Sequence, residues 1–288
     1  MKTLYVIIGP TGIGKTDAAI RMAERLECPI INADSRQMYR ELPIGTSAPT
    51  AEQLSRVKHY FIGTLSLQDY YSAACYEEDA LAVIENEFRE RDNLVMCGGS
   101  MLYIDAVCKG IDDIPTIDEE TRKFVRRRYE EEGLDDLVAE LRLLDPVYYD
   151  CVDKKNTARV LHALEVCYMT GKPFSSFHSR EQKVRPFNIV KLGLRREREE
   201  LFERISRRTD KMIADGLLDE ARRVMSFRKE NALNTVGYKE IFRYFDGEWS
   251  LDFAIEKIKR NTRVYAKKQM TWWSKDTSVR WVHPDLVV

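Results

Sequence analysis

Near its amino end the chain reads Leu4-Tyr5-Val6-Ile7-Ile8-Gly9-Pro10-Thr11-Gly12-Ile13-Gly14-Lys15-Thr16, and this stretch decides the fold. Its first five residues predict a short buried strand, and Asp17–Ala23 predicts a helix. Between them stands the pattern G-x-x-x-x-G-K-T. A strand, a glycine loop and a helix in this order form the context that a phosphate-binding P-loop requires. The sequence therefore predicts a site for a diphosphate or polyphosphate.

The residue types of this loop explain why it would bind an anion. Gly9 and Gly14 permit backbone angles that direct N–H groups at a phosphate, and the N-terminus of the next helix adds partial positive charge. Lys15 supplies a full charge, and the Thr16 hydroxyl can coordinate Mg²⁺. We expect the ligand to contact the whole loop: Gly9, Pro10, Thr11, Gly12, Ile13, Gly14, Lys15 and Thr16.

Length, composition and charge limit the class of protein to which the chain can belong. With 288 residues, 44% of them hydrophobic, the chain is long enough for one large domain and a smaller one. Its 46 basic and 47 acidic residues give a net charge of -1, which neither supports nor excludes a nucleic-acid partner. The six cysteines have no C-x-x-C spacing, and no stretch is apolar enough for a membrane span. We therefore expect a soluble cytoplasmic protein with reduced thiols and no membrane contact.

Further strands and helices follow the loop in alternation. Cys28–Asp34 predicts a second strand with Asp34 at its carboxyl end, where parallel sheets place ligand groups. Apolar runs predict strands in His59–Thr64, Asn93–Cys97 and 185–195, and an edge strand at Trp281-Val282. Helical periodicity covers Ser72–Glu90, Met101–Lys109, Glu199–Phe227, Ile241–Arg243 and Ser250–Trp273.

The composition changes after Gly110, which suggests a domain boundary. Asp112–Asp118 resembles a linker, and from Asp118 to Gly171 the chain is helical, highly charged and without strand signals. We predict an α/β fold: a P-loop NTPase-like parallel sheet core flanked by helices, with an inserted all-helical domain. The core would comprise residues 1–114 and 185–288, and the helical insertion residues 115–184.

Two features bear on the chemistry of the core. Asp34, beside the phosphate loop, suits a general base or an indirect metal contact, and a helix cap or an ion pair is the alternative. Many ATP hydrolases hold Mg²⁺ with an aspartate after a later apolar strand. Here Leu94–Cys97 leads instead to Gly98-Gly99. This absence favours a phosphate-bearing substrate over ATP hydrolysis.

Cationic residues with interleaved aromatic residues indicate an RNA partner. Solvated faces paired with neighbouring glutamates are the alternative for any single run. The four histidines have no metal-ligand spacing. The basic runs are Arg122-Lys123, Arg126–Arg128, Lys154-Lys155 with Arg159, Arg195–Lys211 and Lys257–Lys268.

Over nearly its whole length the chain resembles the bacterial tRNA dimethylallyltransferases, also called tRNA isopentenyltransferases. The phosphate loop alone occurs in many families, but its combination with the Asp34–Tyr39 motif and the closing motif is specific. The matching segments are Gly9–Thr16, Ala33–Tyr39, Gly45-Thr46, Gly98–Tyr103, Arg159 with Ala163–Val166, Gly237–Glu240, Arg263, Tyr265–Gln269 and Thr271–Trp273.

The resemblance implies transfer of a dimethylallyl group from dimethylallyl diphosphate to N6 of adenosine 37, beside the anticodon, in tRNAs that read codons beginning with U. Gly9–Thr16 would hold the diphosphate, with Mg²⁺ near Thr16. Asp34 would be the general base, and Arg208 or its neighbour Arg207 would hold the leaving diphosphate. The implied partner is the tRNA anticodon stem-loop, and the implied state is a monomer. The tRNA contacts would be Asp34, Ser35, Arg36, Gln37, Ser100, Arg122, Ala158, Arg159, Val160, Leu161 and His162.

The chain departs from the family pattern at a few positions. Gly12-Ile13 stands where Ala-Ser is frequent, and Ala158 and His162 stand where Gln and Arg are common. Three other functions remain open on the residues alone. These are a small-molecule or nucleotide kinase on the same core, a non-catalytic RNA-binding P-loop protein, and prenyl transfer to free adenine nucleotides.

Overall fold

A computed structural model describes residues 1–178 and 183–287 of the chain. These residues form two compact units. The first comprises Met1–Lys109 and Val184–Val288, and the second comprises Gly110–Lys183. The chain leaves the first unit after the fourth helix and returns to it before the fifth strand.

The first unit is built on a parallel sheet. Over the described residues the sheet has six strands in the order β3-β2-β4-β1-β5-β6, so that β1 lies between β4 and β5 and β6 is an edge. Every strand pair is parallel. The carboxyl ends of the strands therefore meet at one edge, where this class of fold binds ligands. The strands are β1 (Thr3–Ile8), β2 (Ile30–Asn32), β3 (His59–Tyr60), β4 (Asn93–Cys97), β5 (Asn188–Leu194) and β6 (Arg280–Val282).

The helices are numbered in chain order. They are α1 (Lys15–Arg25), α2 (Ala51–Arg56), α3 (Ala73–Glu87), α4 (Met101–Lys109), α5 (Glu119–Glu132), α6 (Leu134–Leu144), α7 (Pro146–Cys151), α8 (Thr157–Thr170), α9 (Arg198–Ala214), α10 (Leu217–Arg223), α11 (Tyr238–Phe245) and α12 (Leu251–Trp273). Helices α5–α8 belong to the second unit, and the others belong to the first. Within the described part of the chain, no helix is both long enough and apolar enough to span a bilayer.

The predicted parallel α/β core is confirmed, and its local elements lie close to the predicted ones. Strand β4 and helix α4 have the predicted bounds. The second strand is shorter than predicted, at Ile30–Asn32. Before it, the chain is still closing the end of α1, where the Cys28 N–H donates to the Ala23 carbonyl at 3.0 Å. Asp34 therefore follows β2 and does not end it.

One helical prediction needs correction, and one helix was not predicted. The predicted helix Glu199–Phe227 is interrupted at Asp215-Gly216, because Gly216 has a φ of 101° that a continuous helix cannot accommodate. Helix α2 was missed, although Thr50 and Gln53 form a capping box at its start. The spacing of threonine and glutamine three residues apart was the available signal.

Buried aliphatic side chains hold each unit together. In the first unit, β1 contributes Leu4, Val6, Ile7 and Ile8, none with any exposed surface. Burial of one such side chain stabilises a fold by about 1.5–3 kcal/mol. The second unit has its own core, to which Val125 of α5, Leu141 of α6 and Val160 of α8 contribute. A rigid β1 fixes the start of the loop that follows it.

The thiols match the expectation of free cysteines. All six are free, and four of them, Cys28, Cys97, Cys108 and Cys167, are buried. Burial raises the pKa of the Cys28 and Cys108 thiols to about 11 and that of the Cys97 thiol to about 12. These thiols therefore pack as small apolar groups and are not nucleophiles at neutral pH.

Candidate active site

The phosphate loop connects β1 to α1 at the ligand-binding edge of the sheet. Gly14 precedes α1 with a φ of 102°, a left-handed conformation that glycine adopts readily. Gly12 has a φ of 83°, and a Cβ at this position would lie 2.9 Å from the Ile205 Cγ1. The loop therefore depends on glycine both for its backbone angles and for its close packing against α9.

Lys15 is held inside the loop. Its Nζ donates to the Gly9 carbonyl at 2.9 Å and to the Pro10 carbonyl at 3.0 Å. Burial lowers the pKa of this ammonium to about 8, a shift that Asp34 opposes and Arg208 reinforces. Lys15 is a desolvated cation, so a bound anion would gain more from it than from a lysine in water.

Helix α9 surrounds the loop with arginines. The Arg208 Nη1 donates to the Thr11 hydroxyl at 2.8 Å, and the Arg204 Nε donates to the Gly12 carbonyl at 3.0 Å. Burial lowers the pKa of Arg208, while Asp34 acts in the opposite direction. Arg207 points elsewhere: its side chain is 76% exposed and pairs with Glu203 at 2.5 Å. The geometry therefore favours Arg208 between the two candidates that the sequence left open.

Arg204 was not singled out from the sequence. It lies four residues before Arg208, so the two side chains share one face of α9. That spacing was the signal that could have identified it.

Asp34 faces the loop from the turn that follows β2. Its Oδ1 accepts the Arg36 N–H at 3.0 Å, which fixes the carboxylate in the turn. A Cβ built on Gly99 would lie 3.5 Å from the Asp34 Oδ2 and 3.8 Å from the Lys15 Nζ, so both groups border the same point. At Gly98 a Cβ would lie 2.1 Å from the Ala33 carbonyl oxygen. The two glycines after β4 thus allow its end to approach Asp34 and Lys15 closely.

The residues after Asp34 form a bonded turn. Ser100 accepts the Ser35 N–H at 2.7 Å and donates to the Ser35 hydroxyl at 2.9 Å. The Gln37 Nε2 donates to the Thr46 and Ser47 carbonyls at 3.2 and 3.0 Å. The predicted residues Ser35, Gln37 and Ser100 are therefore part of the structured surroundings of Asp34.

A cleft of about 480 Å³ opens between the loop, Asp34 and α12. Six of the predicted site residues line it: Thr11, Asp34, Ser35, Arg36, Ser100 and Arg208. Ile205, Met212 and Ile258 add apolar surface. All of the lining residues belong to the first unit. The cleft therefore offers a cationic end, a carboxylate and apolar surface in one space.

The other predicted tRNA contacts lie in the second unit. Arg122 is on α5, and Ala158–His162 lies in the first two turns of α8. Ala158 and Arg159 are exposed, whereas Val160 is fully buried in the core of that unit. The His162 Nδ1 lies 3.5 Å from the Glu165 carboxylate. The side chains of Ala158, Arg159 and His162 are thus accessible at the surface of α8, and that of Val160 is not.

One wall of the cleft rests on a buried carboxylate that sequence reasoning missed. Glu220 of α10 has no exposed surface and accepts the Ile44 and Gly45 N–H groups at 2.8 and 2.7 Å. The Tyr238 hydroxyl donates to it at 2.5 Å. A Cβ at Gly45 would lie 2.4 Å from that hydroxyl oxygen. Glu220 therefore holds the segment that supplies Gly45 and Thr46 to the cleft.

Replacing Glu220 by Gln is expected to lower the free energy of unfolding by about 1–3 kcal/mol, because an amide nitrogen would then face a buried N–H donor. Urea unfolding followed by circular dichroism measures this change. Asp219→Asn is the matched control, since Asp219 is exposed on the same helix. We expect this control to change stability by less than about 0.5 kcal/mol. Wild-type stability of Glu220→Gln would show that the three hydrogen bonds contribute little.

The parallel sheet, the glycine loop and the carboxylate across the cleft define a P-loop protein whose site suits a phosphorylated substrate. The model of the IPP transferase family matches residues 37–276. The chain therefore belongs to the IPP transferase family.

Similar proteins agree with this membership. The chain is 62% identical over 283 residues to tRNA dimethylallyltransferase 1 of Phocaeicola vulgatus, covering 98% of this chain and 94% of the relative. It is 60% identical over 285 residues to tRNA dimethylallyltransferase 1 of Bacteroides thetaiotaomicron, covering 99% and 92%. A crystal structure of tRNA isopentenylpyrophosphate transferase from Bacillus halodurans matches with a TM-score of 0.71 and 33% identity, covering 99% of this chain and 90% of the other.

A eukaryotic dimethylallyltransferase acting on tRNA has the same fold. It matches with a TM-score of 0.82 at 23% identity and covers 99% of this chain and 74% of the other. At this level of identity the match supports the fold assignment alone.

Proposed function

We propose that this protein transfers a dimethylallyl group from dimethylallyl diphosphate to N6 of adenosine 37, next to the anticodon of tRNAs that read codons beginning with U. The observation that carries the proposal is the placement of Asp34 across one cleft from the P-loop and Arg208. The relatives named above are tRNA dimethylallyltransferases, which favours this activity over phosphoryl transfer by a kinase.

The diphosphate end of the donor would bind the P-loop. Lys15 and Arg208 would face its oxygens, and the loop N–H groups and the α1 N-terminus would add partial positive charge. In the reaction, the allylic C–O bond breaks and its electron pair passes to the diphosphate oxygen. Cations that are already desolvated stabilise this developing charge without reorganisation.

Asp34 would act on the acceptor. The adenine N6 lone pair is delocalised into the ring, so this amine is a weak nucleophile. As N6 forms its bond to the allylic carbon, it must lose a proton, and the Asp34 carboxylate would accept it. The base must leave its stack to reach the cleft, at a cost of a few kcal/mol that is smallest in a loop.

We propose that a divalent cation, Mg²⁺, accompanies the diphosphate. Thr16 fits this role, because it is the first-turn hydroxyl of α1 and borders a small cavity together with Lys15 and Asp34. Among the described residues, no cluster of three or more His, Cys, Asp or Glu side chains could hold a metal ion by itself. The oxygens of the diphosphate and water would therefore complete the ligand set. The bound cation would neutralise charge on the leaving group.

We assign the two units different parts of this task. The first unit would be the catalytic core, since it contains every residue that lines the cleft. The second unit would contact the anticodon stem-loop through Arg122 and through Ala158, Arg159 and His162 at the surface of α8. Since one chain lines the whole cleft, we propose that the protein is a monomer, which sedimentation would test. We also propose that it acts in the cytoplasm, where tRNA is modified.

Mass spectrometry of unmodified tRNA tests the proposal directly. Protein, Mg²⁺ and dimethylallyl diphosphate should add the mass of one dimethylallyl group to adenosine 37. Phosphate transfer from labelled ATP with no prenyl transfer would instead support a kinase. Modification of free adenine nucleotides alone would exclude a tRNA substrate. Binding of tRNA without formation of any product would support the alternative of a non-catalytic RNA-binding protein.

Replacing Arg122 by Ala is expected to weaken tRNA binding and to reduce the slope of log K against log salt by about one, because one phosphate contact is lost. Filter binding at several salt concentrations measures the slope. Lys123→Ala is the matched control. This substitution removes the same charge one residue away, from a side chain that pairs with Glu119 on the same helix. An unchanged slope for Arg122→Ala would remove this residue from the proposed RNA surface.

A further inference from the structure

Gln269 lies at the junction of the two halves of the proposed site. It belongs to α12, is 1% exposed, and takes no part in the chemistry described above. Its Oε1 accepts the Thr11 N–H at 2.9 Å, and its Nε2 donates to the Gly99 carbonyl at 2.8 Å. Since one partner is a donor and the other an acceptor, the orientation of the amide group is determined.

The first bond fixes the phosphate loop. Thr11 uses its N–H for Gln269 and its hydroxyl to accept from the Arg208 Nη1 at 2.8 Å. Gln269 therefore holds Thr11, whose hydroxyl is the hydrogen-bond partner of Arg208. The Thr11 N–H is occupied by this bond, so Thr11 serves the loop as a structural link.

The second bond fixes the bend after β4, beside Asp34. A Cβ at Gly99 would lie 2.9 Å from the Gln269 Nε2 and 3.5 Å from the Asp34 Oδ2. The Tyr265 hydroxyl, one turn earlier on α12, also donates to the Gly99 carbonyl at 3.4 Å. The amide group of Gln269 thus borders the surroundings of Asp34 at one end and the loop at the other.

We infer that Gln269 is a positioning residue that sets the separation between the diphosphate cradle and the base. This inference rests on the proposed function. In-line displacement requires the leaving group, the carbon and the nucleophile in one geometry, and a displacement of about 1 Å can cost about 100-fold in rate. A single buried side chain that bonds to both sides supplies this geometry before substrates bind.

The test is Gln269→Met, which keeps the side-chain length but removes both hydrogen bonds. We expect the KM for dimethylallyl diphosphate to rise by about tenfold or more and kcat to fall by a similar factor. The KM for tRNA should stay unchanged. Thr271→Val is the matched control, because among the described residues the Thr271 hydroxyl on the same helix bonds only to the Lys267 carbonyl, at 3.0 Å. This control should keep wild-type constants.

A role in folding alone would give a different result. The active fraction and the thermal midpoint would fall, while the KM for dimethylallyl diphosphate of the remaining enzyme would be unchanged. That pattern, or wild-type kinetics, would overturn the inference. If Gln269→Met does not fold, Gln269→Glu replaces it, since a carboxylate still accepts the Thr11 N–H but cannot donate to Gly99. The kcat of Gln269→Glu should fall, and a wild-type kcat would contradict the positioning role of Gln269.

A binding measurement separates this inference from the proposed function. Calorimetry with inorganic diphosphate, Mg²⁺ and no tRNA should show about tenfold weaker binding by Gln269→Met than by the wild type. If the wild type forms no prenylated tRNA, the proposed function fails, yet this comparison still tests Gln269. Equal affinities in the two proteins would overturn the positioning role.

Discussion

Replacing Asp34 by Asn is expected to lower kcat for prenyl transfer by about 10²–10⁴-fold, the range that a general base contributes. An amide has nearly the same shape as the carboxylate and still accepts the Arg36 N–H, so the turn after β2 should persist. What disappears is the group that would take the N6 proton in the proposed mechanism. Affinity for tRNA should therefore remain close to that of the wild type.

Single-turnover kinetics with saturating tRNA and dimethylallyl diphosphate measure this loss, and filter binding measures the affinity. Asp17→Asn is the matched control, because Asp17 is an exposed acid on α1 whose Oδ1 accepts from Gln53 at 2.9 Å. Its turnover should equal that of the wild type. If Asp34→Asn also turned over normally, another group would have to accept the proton, and the proposed mechanism would be wrong.

Replacing Arg208 by Gln should lower kcat by about 10²–10³-fold, as for other donors that stabilise a developing negative charge. The guanidinium is partly buried beside the loop, and desolvation lowers its pKa, so its charge is screened less than that of an exposed arginine. In the proposed mechanism it would interact with the diphosphate most strongly when the C–O bond is breaking. The effect should therefore appear in kcat more than in tRNA affinity.

Arg207→Gln is a close control for this prediction. It removes the same charge from the adjacent position, but the Arg207 side chain is 76% exposed and bonded to Glu203. A solvated ion pair of this kind contributes about 0–1 kcal/mol, so turnover should be unaffected. Equal losses in the two variants would point to a general electrostatic effect of α9 and not to a specific contact by Arg208.

The parts of the site that the sequence predicted are those whose residues are adjacent in the chain. The run from Leu4 to Thr16 specified a strand, a loop and a helix start, because each depends on local backbone preferences and on apolar spacing. Asp34 could be placed beside the loop because a strand end in a parallel sheet has a known side for ligands.

Contacts between distant segments could not be read in this way. Gln269 bonds to Thr11 across 258 positions, and Glu220 bonds to Ile44 across 176. Glu220 has no local pattern that distinguishes it from an ordinary polar helix residue, and the closing motif that contains Gln269 does not show which groups it bonds to. Val160 is a further example. It lies in a segment that matches tRNA-contacting residues of the family, but the sequence did not reveal that its side chain is buried.

By itself, the sequence determined the class of fold, the glycine loop and the carboxylate beside it. These follow from short-range rules: the angles that glycine permits, the period of buried residues and the polarity of a helix end. Only the tertiary structure decided that Arg208 and not Arg207 faces the loop, and that Gln269 and Glu220 hold the two sides of the cleft. The physical reason is that burial and hydrogen-bond partners depend on which segments pack together, and segments far apart in the chain meet only in the folded protein.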